Sequence, residues 1–254
     1  GDRIVALARP GEQVEVVVGR ATSTEVRAYD GQVEQFASAT SAGVGVRVIA
    51  GNRQGFAYAG TLDADVMAET LAEARDNATF ATDDEWLGLA EPDGLAVPAL
   101  DLYRESLTRV STDAKIDLAL ELERAVRAAD PRITGVESAD YADGVSEGAV
   151  VSTTGIRTYG RETSCYVAAH CVATDGDDTQ TGFGFSVGRT LDALDVSVAA
   201  GDAARRATRL LGATKPASGR VTVVLDPYVT AQFLGIIGST LSGEAVLKGR
   251  SLFA

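Results

Sequence analysis

The chain has 254 residues, with 23 lysine and arginine against 36 aspartate and glutamate, so its formal net charge is −13. Such an acidic chain is repelled by phosphate backbones and by anionic lipids, which argues against binding to nucleic acid or to a membrane surface. A composition of 45% hydrophobic and 23% charged residues is typical of a globular protein of one or two domains and not of a disordered chain.

No apolar run approaches the roughly 20 residues of a membrane-spanning helix, and no signal-peptide pattern opens the sequence. The only cysteines, Cys165 and Cys171, are too few for the disulfide framework of a small secreted protein. These features favour the cytoplasm. Because the only methionine is Met67, we expect the chain to be part of a longer protein.

Alternating apolar and polar residues predict an antiparallel meander in the first part of the chain, with turns at Asp30-Gly31 and Gly51-Asn52. The predicted strands cover residues 14–18, 25–29, 32–40, 43–50 and 55–59. From Asp63 the apolar residues recur at helical spacing. The polar stretch 79–98 contains prolines and predicts the first domain boundary.

The second part of the chain repeats this order after a helix that Ser111 or Thr112 can cap and that Asp130-Pro131 ends. Strands are predicted at residues 133–139, 149–153, 156–162, 164–173 and 182–187, followed by a helix with apolar residues from Val196 to Leu210. Asp30-Gly31 is echoed by Thr154-Gly155, and residues 55–58 by residues 182–185. Two interpretations stay open: two related halves that frame a cleft, or a common hairpin-and-helix unit used twice.

A third unit begins with a predicted strand at residues 221–225. Asp226 is suited to cap a following helix, Pro227 to begin it and Ser242-Gly243 to end it. The predicted fold class is therefore α+β, with two modules of antiparallel meander plus helices leading into an incomplete C-terminal domain. The predicted domains are residues 1–98, 99–215 and 216–254.

Candidate metal ligands and nucleophiles are few. His170, the only histidine, follows strand residues and points to the face opposite Cys165 and Cys171. The two cysteines lie about 20 Å apart along a strand, which excludes a shared zinc ion or disulfide and predicts two free thiols. The acidic runs 83–85 and 175–178 are typical of solvated loops, and no Gly-x-Ser-x-Gly motif or phosphate-binding glycine loop is present.

The C-terminal segment carries a resemblance to a known family. It contains Leu225-Asp226-Pro227, then Phe233-Leu234-Gly235-Ile236-Ile237-Gly238-Ser239, and then Leu241-Ser242-Gly243-Glu244-Ala245-Val246-Leu247-Lys248-Gly249-Arg250-Ser251. These motifs resemble the TldD/PmbA family, and specifically its PmbA (TldE) branch. The hairpin-rich first module also resembles the N-terminal domain of that family.

The resemblance implies a helix in this segment. In the TldD branch the corresponding helix carries His-Glu-x-x-x-His, which supplies two zinc ligands and a general base. A cysteine of the C-terminal domain completes the site. In register, Leu234 and Ser239 stand at the histidine positions and Gly235 at the glutamate. We therefore expect no catalytic residue and no metal site in this chain, and zinc in a TldD-like partner. Gly238 either permits close helix packing or keeps a local widening of the helix.

What the resemblance implies is a non-catalytic subunit of a cytoplasmic metallopeptidase complex that acts on unfolded peptides. Its expected partner is a TldD-like subunit, or a second copy of the chain. The residues expected to contact peptide or partner are Gly238, Gly243, Glu244, Lys248, Arg250 and Ser251. The alternatives are a stand-alone peptide-binding or regulatory protein of the gyrase-modulator type, and an autonomous metallopeptidase with other ligands.

Overall fold

Residues 1–96 and 98–254 are described by the computed structural model, a six-stranded antiparallel sheet with three of its helices packed on one face. Val97, inside the predicted boundary stretch, lies outside the described residues. The strands are β1 Gln13–Tyr29, β2 Gln32–Ala50, β3 Arg53–Ala59, β4 Ile133–Ser152, β5 Arg157–Asp175 and β6 Asp178–Gly188. The helices are α1 Asp2–Val5, α2 Ala64–Phe80, α3 Glu105–Thr108, α4 Thr112–Ala129, α5 Val196–Thr208, α6 Pro227–Thr240 and α7 Gly243–Leu247, with a 3-10 turn at Leu191–Ala193.

The strand order is β3-β2-β1-β4-β5-β6, so each half of the chain contributes three consecutive strands and β1 pairs with β4 at the centre. The α+β prediction is confirmed. No helix among the described residues has both the length and the hydrophobicity needed to cross a bilayer.

The strands are longer than the sequence pattern predicts. Residues 14–18 and 25–29 belong to the single strand β1, and the same holds for the predicted pairs within β2, β4 and β5. Small and polar residues interrupt the apolar alternation in the middle of these strands, but main-chain pairing continues through them. The strand predicted at 221–225 is wrong, because these residues are unpaired in the described structure and Val224 is 91% exposed.

Two hydrophobic cores lie on the helical face of the sheet. One core packs α2 against β1, β2 and β3 and contains Leu71 and Val46. The other packs α4 and α5 against β4, β5, β6 and the end of β1 and contains Leu122 and Val167. The middle of β1 and β4 contributes to neither cluster of fully buried residues.

The two halves are related by more than strand order. Gly31 (φ 75°) and Gly155 (φ 101°) lie in the equivalent β1–β2 and β4–β5 turns, as predicted. On the edge strands, Gly55 lies against Ala74 and Ala78 of α2, and Gly182 lies against Ala203 and Ala207 of α5. This matched packing favours the interpretation of two related halves.

The equivalence extends to the outer strand edges. The side chain of Asn77 donates a hydrogen bond to the carbonyl of Phe56 (3.0 Å), and Arg206 donates to the carbonyl of Phe183 (2.8 Å). Each donor lies three residues after the helical alanine that contacts the edge-strand glycine. Both outer edges of the sheet are therefore capped by a helix side chain at the same position.

Candidate functional site in the α6–α7 segment

The α6–α7 segment, residues 226–251, carries all the residues that the family resemblance singles out. Asp226 caps α6 by accepting a hydrogen bond from the N–H of Tyr228 (2.9 Å), and Pro227 begins the helix, as predicted. The helix ends at Thr240, earlier than predicted, because Ser242 instead caps α7 through the N–H of Ala245 (3.3 Å).

The three positions that the family resemblance assigns to the zinc motif all lie on α6. Leu234 is 62% exposed, and Gly235 has no other atom near the position of a Cβ. The hydroxyl of Ser239 donates a hydrogen bond to the carbonyl of Ile236 (2.7 Å), so its partner is the main chain of its own helix. Leucine offers no lone pair and glycine no side chain, and serine is a poor zinc ligand beside imidazole, so these residues do not fit a catalytic zinc ion.

The described part of the chain also contains no cluster of metal-binding residues elsewhere. No group of three or more histidine, cysteine, aspartate or glutamate residues is placed to hold a metal ion there. His170 is exposed on the outer face of β5, and Cys165 and Cys171 are buried on the helical face, as the alternation predicts. Both thiols are free, and burial raises the pKa of each to about 11.

Gly238 shows neither of the two roles considered for it. A Cβ at this position would meet no atom within 4 Å among the described residues, so no close packing requires a glycine. The surrounding residues form a regular α-helix from Pro227 to Thr240 without a widened turn.

Lys248 connects α7 to the first half of the molecule. Its ammonium group donates to Asp84 (2.5 Å) and to Glu244 (3.0 Å). The N–H of Asp84 in turn donates to the carbonyl of Asn52 (2.8 Å), in the β2–β3 turn. The hydrogen bond from Lys248 lowers the pKa of the Asp84 carboxyl, and the same bond raises the pKa of Lys248.

The remaining residues expected to contact peptide or partner serve local structure. Gly243 is the first residue of α7 and has open space around it. The N–H of Arg250 donates to the carbonyl of Ala245 (2.8 Å), and the hydroxyl of Ser251 donates to the carbonyl of Thr240. Glu244, Lys248 and Ser251 thus have side-chain partners within the chain and Arg250 a main-chain partner, while their contact with a peptide or a partner stays a prediction.

An aromatic cluster that the sequence analysis missed anchors the other end of the segment. The ring of Tyr228 meets Phe183 edge-on (centroids 5.0 Å apart), and His170 stacks on Phe183 at 6.0 Å. The guanidinium of Arg206 lies 4.5 Å from the Phe183 centroid and 5.6 Å from that of Tyr228. Alternation in β6 could have indicated that Phe183 and Phe185 share the face opposite the glycines.

Comparison with known proteins decides the family. The model described as PmbA/TldA metallopeptidase domain 1 matches residues 14–78, the central-domain model matches residues 105–211, and the C-terminal-domain model matches residues 218–254. The chain belongs to the PmbA/TldD family. The resemblance to this family noted in the sequence is thereby confirmed.

Curated relatives agree with this assignment. The chain is 26% identical over 244 residues to the metalloprotease PmbA of Escherichia coli O157:H7, covering 92% of this chain and 52% of the relative. It is 24% identical over 260 residues to a metalloprotease of Methanocaldococcus jannaschii, covering 99% of this chain and 56% of the relative. The chain therefore spans about half the length of the curated relatives it matches.

Solved structures show the same fold. A protein described as a modulator of DNA gyrase from Bacteroides thetaiotaomicron superposes with a TM-score of 0.81 at 22% identity, covering 97% of this chain and 56% of that one. TldE from Thermococcus kodakarensis superposes with a TM-score of 0.66 at 20% identity, covering 76% of this chain and 43% of that one.

Proposed function

We propose that this chain is the non-catalytic, PmbA/TldE-like part of a cytoplasmic metallopeptidase that acts on unfolded peptides, and that a TldD-like subunit supplies the zinc. The observation that carries the proposal is the side-chain set on α6, where Leu234, Gly235 and Ser239 lie at the positions that the family resemblance assigns to two zinc ligands and a general base. Membership in a metallopeptidase family supports a peptide substrate.

In the proposed complex, this chain's contribution is to hold peptide and to support the catalytic subunit. The net charge of −13 argues only against direct contact with nucleic acid, and a stand-alone peptide-binding or regulatory protein of the gyrase-modulator type is the alternative to this proposal. The alternative partner is a second copy of the chain. The light-scattering measurement described below distinguishes the two complexes.

The test measures zinc and peptidase activity together. Alone, after extensive dialysis, the chain should retain no stoichiometric zinc by metal analysis and should leave fluorogenic peptides intact. Mixed with a TldD-like subunit, it should form a heteromeric complex by light scattering and give chelator-sensitive cleavage.

A variant that restores the motif provides the control. The triple change Leu234→His, Gly235→Glu, Ser239→His should still give no stoichiometric zinc, because two histidines are one protein ligand short of the usual three. Stoichiometric zinc in the unmodified isolated chain, together with cleavage that a chelator stops, would contradict the proposal in favour of an autonomous metallopeptidase.

A further inference from the structure

The first part of β5 has an open edge. Strand β6 pairs with β5 only from Cys165 onward, so residues 157–162 have β4 on one side and no strand on the other in the described structure. The N–H of Thr163 points to this open side, where it donates to the carbonyl of Leu102 (3.0 Å). Because main-chain direction alternates along a strand, the N–H and C=O groups of Tyr159 and Arg161 point the same way.

Those main-chain groups have no main-chain partner among the described residues. The connecting segment between the halves runs past them and is fastened at both ends. The Thr154 hydroxyl donates to the carbonyl of Ala90 (2.6 Å) on one side, and Thr163 bonds to Leu102 on the other. Pro98, Leu100 and Asp101 of this segment line a space beside the β5 edge.

The space left there is a cavity of about 710 Å³. That volume lies within the range of about 300–1,000 Å³ that is typical of ligand sites. Its lining includes Leu100, Tyr103, Tyr159, Gly160, Arg161 and Glu162. Arg161 lies over the ring of Tyr103 (3.9 Å to the centroid), while the Tyr159 ring is 66% exposed.

A neighbouring cavity of about 260 Å³ shares Tyr159 and Gly148 with the first and is bounded by Val18, Ala149 and Leu62. This volume suits one bulky apolar side chain. A strand edge beside an apolar recess is the arrangement by which proteins bind extended peptides: main-chain groups pair with the edge, and alternate side chains enter pockets.

We propose that an extended peptide adds as a strand to the β5 edge at Tyr159 and Arg161, with an apolar side chain beside Tyr159 and Leu62. The proposal rests on the proposed function, for which it names the peptide-binding surface of this subunit. Since strand addition reads the main chain, it suits unfolded peptides of varied sequence. The charged residues of the lining, Arg161, Glu162 and Asp101, include both signs and so select no single ligand charge.

What distinguishes this edge from the rest of the sheet is the cavity beside it. Open edges invite association and are normally protected. The outer edges β3 and β6 are capped by Asn77 and Arg206, but no side-chain cap from the described residues reaches the main chain of Tyr159 or Arg161. The equivalent stretch of β2, residues 32–43, also lacks a second strand, and the cavity near Arg27 and Tyr166 reaches it only at Gln35, so this stretch serves as a control.

The test measures binding of a fluorescein-labelled ten-residue peptide of mixed composition, with one central leucine, to the isolated chain by fluorescence polarisation. Tyr159→Pro removes one outward N–H and should weaken binding at least about tenfold. Tyr159→Ala keeps that N–H and should cost less. Ser38→Pro makes the same type of change on the β2 edge and should leave affinity unchanged.

A second peptide tests strand addition directly. Methylating alternate main-chain nitrogens removes the donors that pair with the edge and should weaken binding at least about tenfold, while an alanine in place of the leucine should weaken it less. Circular dichroism melts of each variant show whether it is folded.

Several results would overturn the proposal. These are no binding by the folded chain, equal affinity of Tyr159→Pro and the unmodified chain, no effect of N-methylation, or a loss confined to Ser38→Pro. None of them touches the zinc and cleavage measurements with a TldD-like subunit. If cleavage by the complex persists with an unchanged KM in Tyr159→Pro, the proposed function stands and this site is wrong.

Discussion

Glu123 is buried beneath the tip of the β1–β2 hairpin, with a side chain only 1% exposed. One carboxylate oxygen accepts the N–H of Gly31 (2.9 Å), and the other accepts Arg127 (2.8 Å). Burial opposes the charged form, but Arg127 and the N–H groups of Gly31 and Asp30 outweigh it and lower the pKa of Glu123. A side chain on α4 thereby fastens a turn of the first half to the second half.

Glu123→Ala should lower the free energy of unfolding by about 2 kcal/mol at pH 7, because it removes a buried carboxylate that accepts hydrogen bonds from both the Gly31 N–H and Arg127. Glu123→Gln keeps the shape and one acceptor oxygen and should cost less. Urea denaturation followed by circular dichroism measures both variants.

The contribution of Glu123 should depend on pH. Its folded-state pKa lies below the ordinary value of 4.5, so the stabilisation is fully present above that value and is lost as pH falls through the folded-state pKa. The stability difference between the unmodified chain and Glu123→Gln should therefore shrink in acid. A difference that stays constant from pH 7 to pH 3 would contradict this role of the carboxylate.

Helix α5 packs against β6 through glycine and alanine surfaces. A Cβ at Gly182 would lie 2.2 Å from the carbonyl oxygen of Ala203, and one at Gly184 would lie 2.0 Å from that of Ala199. Backbone atoms cannot yield as a flexible side chain can, so the helix approaches this closely only because these strand positions lack a Cβ.

Gly182→Ala should lower the free energy of unfolding by at least about 2 kcal/mol, because α5 must move away from β6. Gly201→Ala on α5 is the matched control. Its Cβ would meet no atom within 4 Å, and alanine favours helix, so this variant should gain up to about 1 kcal/mol. Thermal melts that show equal shifts for both variants would refute the close-packing interpretation.

At the level of elements, the sequence predicts most where patterns are local. The helix caps at Ser111 and Asp226 lie where they are predicted, and so do the hairpin turns at Gly31 and Gly155. Each of these features depends on only a few neighbouring residues. Strand lengths were underestimated, since pairing through the middle of β1 and β4 depends on a partner strand and not on local apolar alternation. The prediction of a strand at residues 221–225 is wrong for the converse reason. These residues form an apolar run, but no strand pairs with them in the described structure.

The residues of the candidate site divide in the same way, into those that the sequence indicates and those that only the folded structure brings together. The positions Leu234, Gly235 and Ser239 come from the register that the family resemblance implies, and the lack of ligand side chains there is visible in the residues themselves. The contacts of Lys248 with Asp84 and of Tyr228 with Phe183 join residues far apart in the chain, and no local pattern specifies such pairs. The open β5 edge is likewise visible only once β6 is seen to pair from Cys165 onward.

At the scale of the whole molecule, the central β1–β4 pairing joins the two halves. Pairing runs from Glu15↔Ser152 to Ala28↔Ala139, almost the full length of both strands. Glu123 adds a contact between α4 and the first hairpin, and β1 contributes Val26 and Ala28 to the second core. Strand β1 thus packs in both cores, so the first half cannot unfold without exposing part of the second.

This arrangement predicts that the six-stranded sheet unfolds as one cooperative unit. Gly55→Ala tests it, because a Cβ there would lie 1.9 Å from the Ala74 carbonyl oxygen, inside the first half and far along the sheet from β6. The variant should lose at least about 2 kcal/mol. Amide hydrogen exchange should then show the same loss of protection in β5 and β6 as in β2 and β3. Loss confined to β2, β3 and α2, with β6 unchanged, would instead show two independently folding halves.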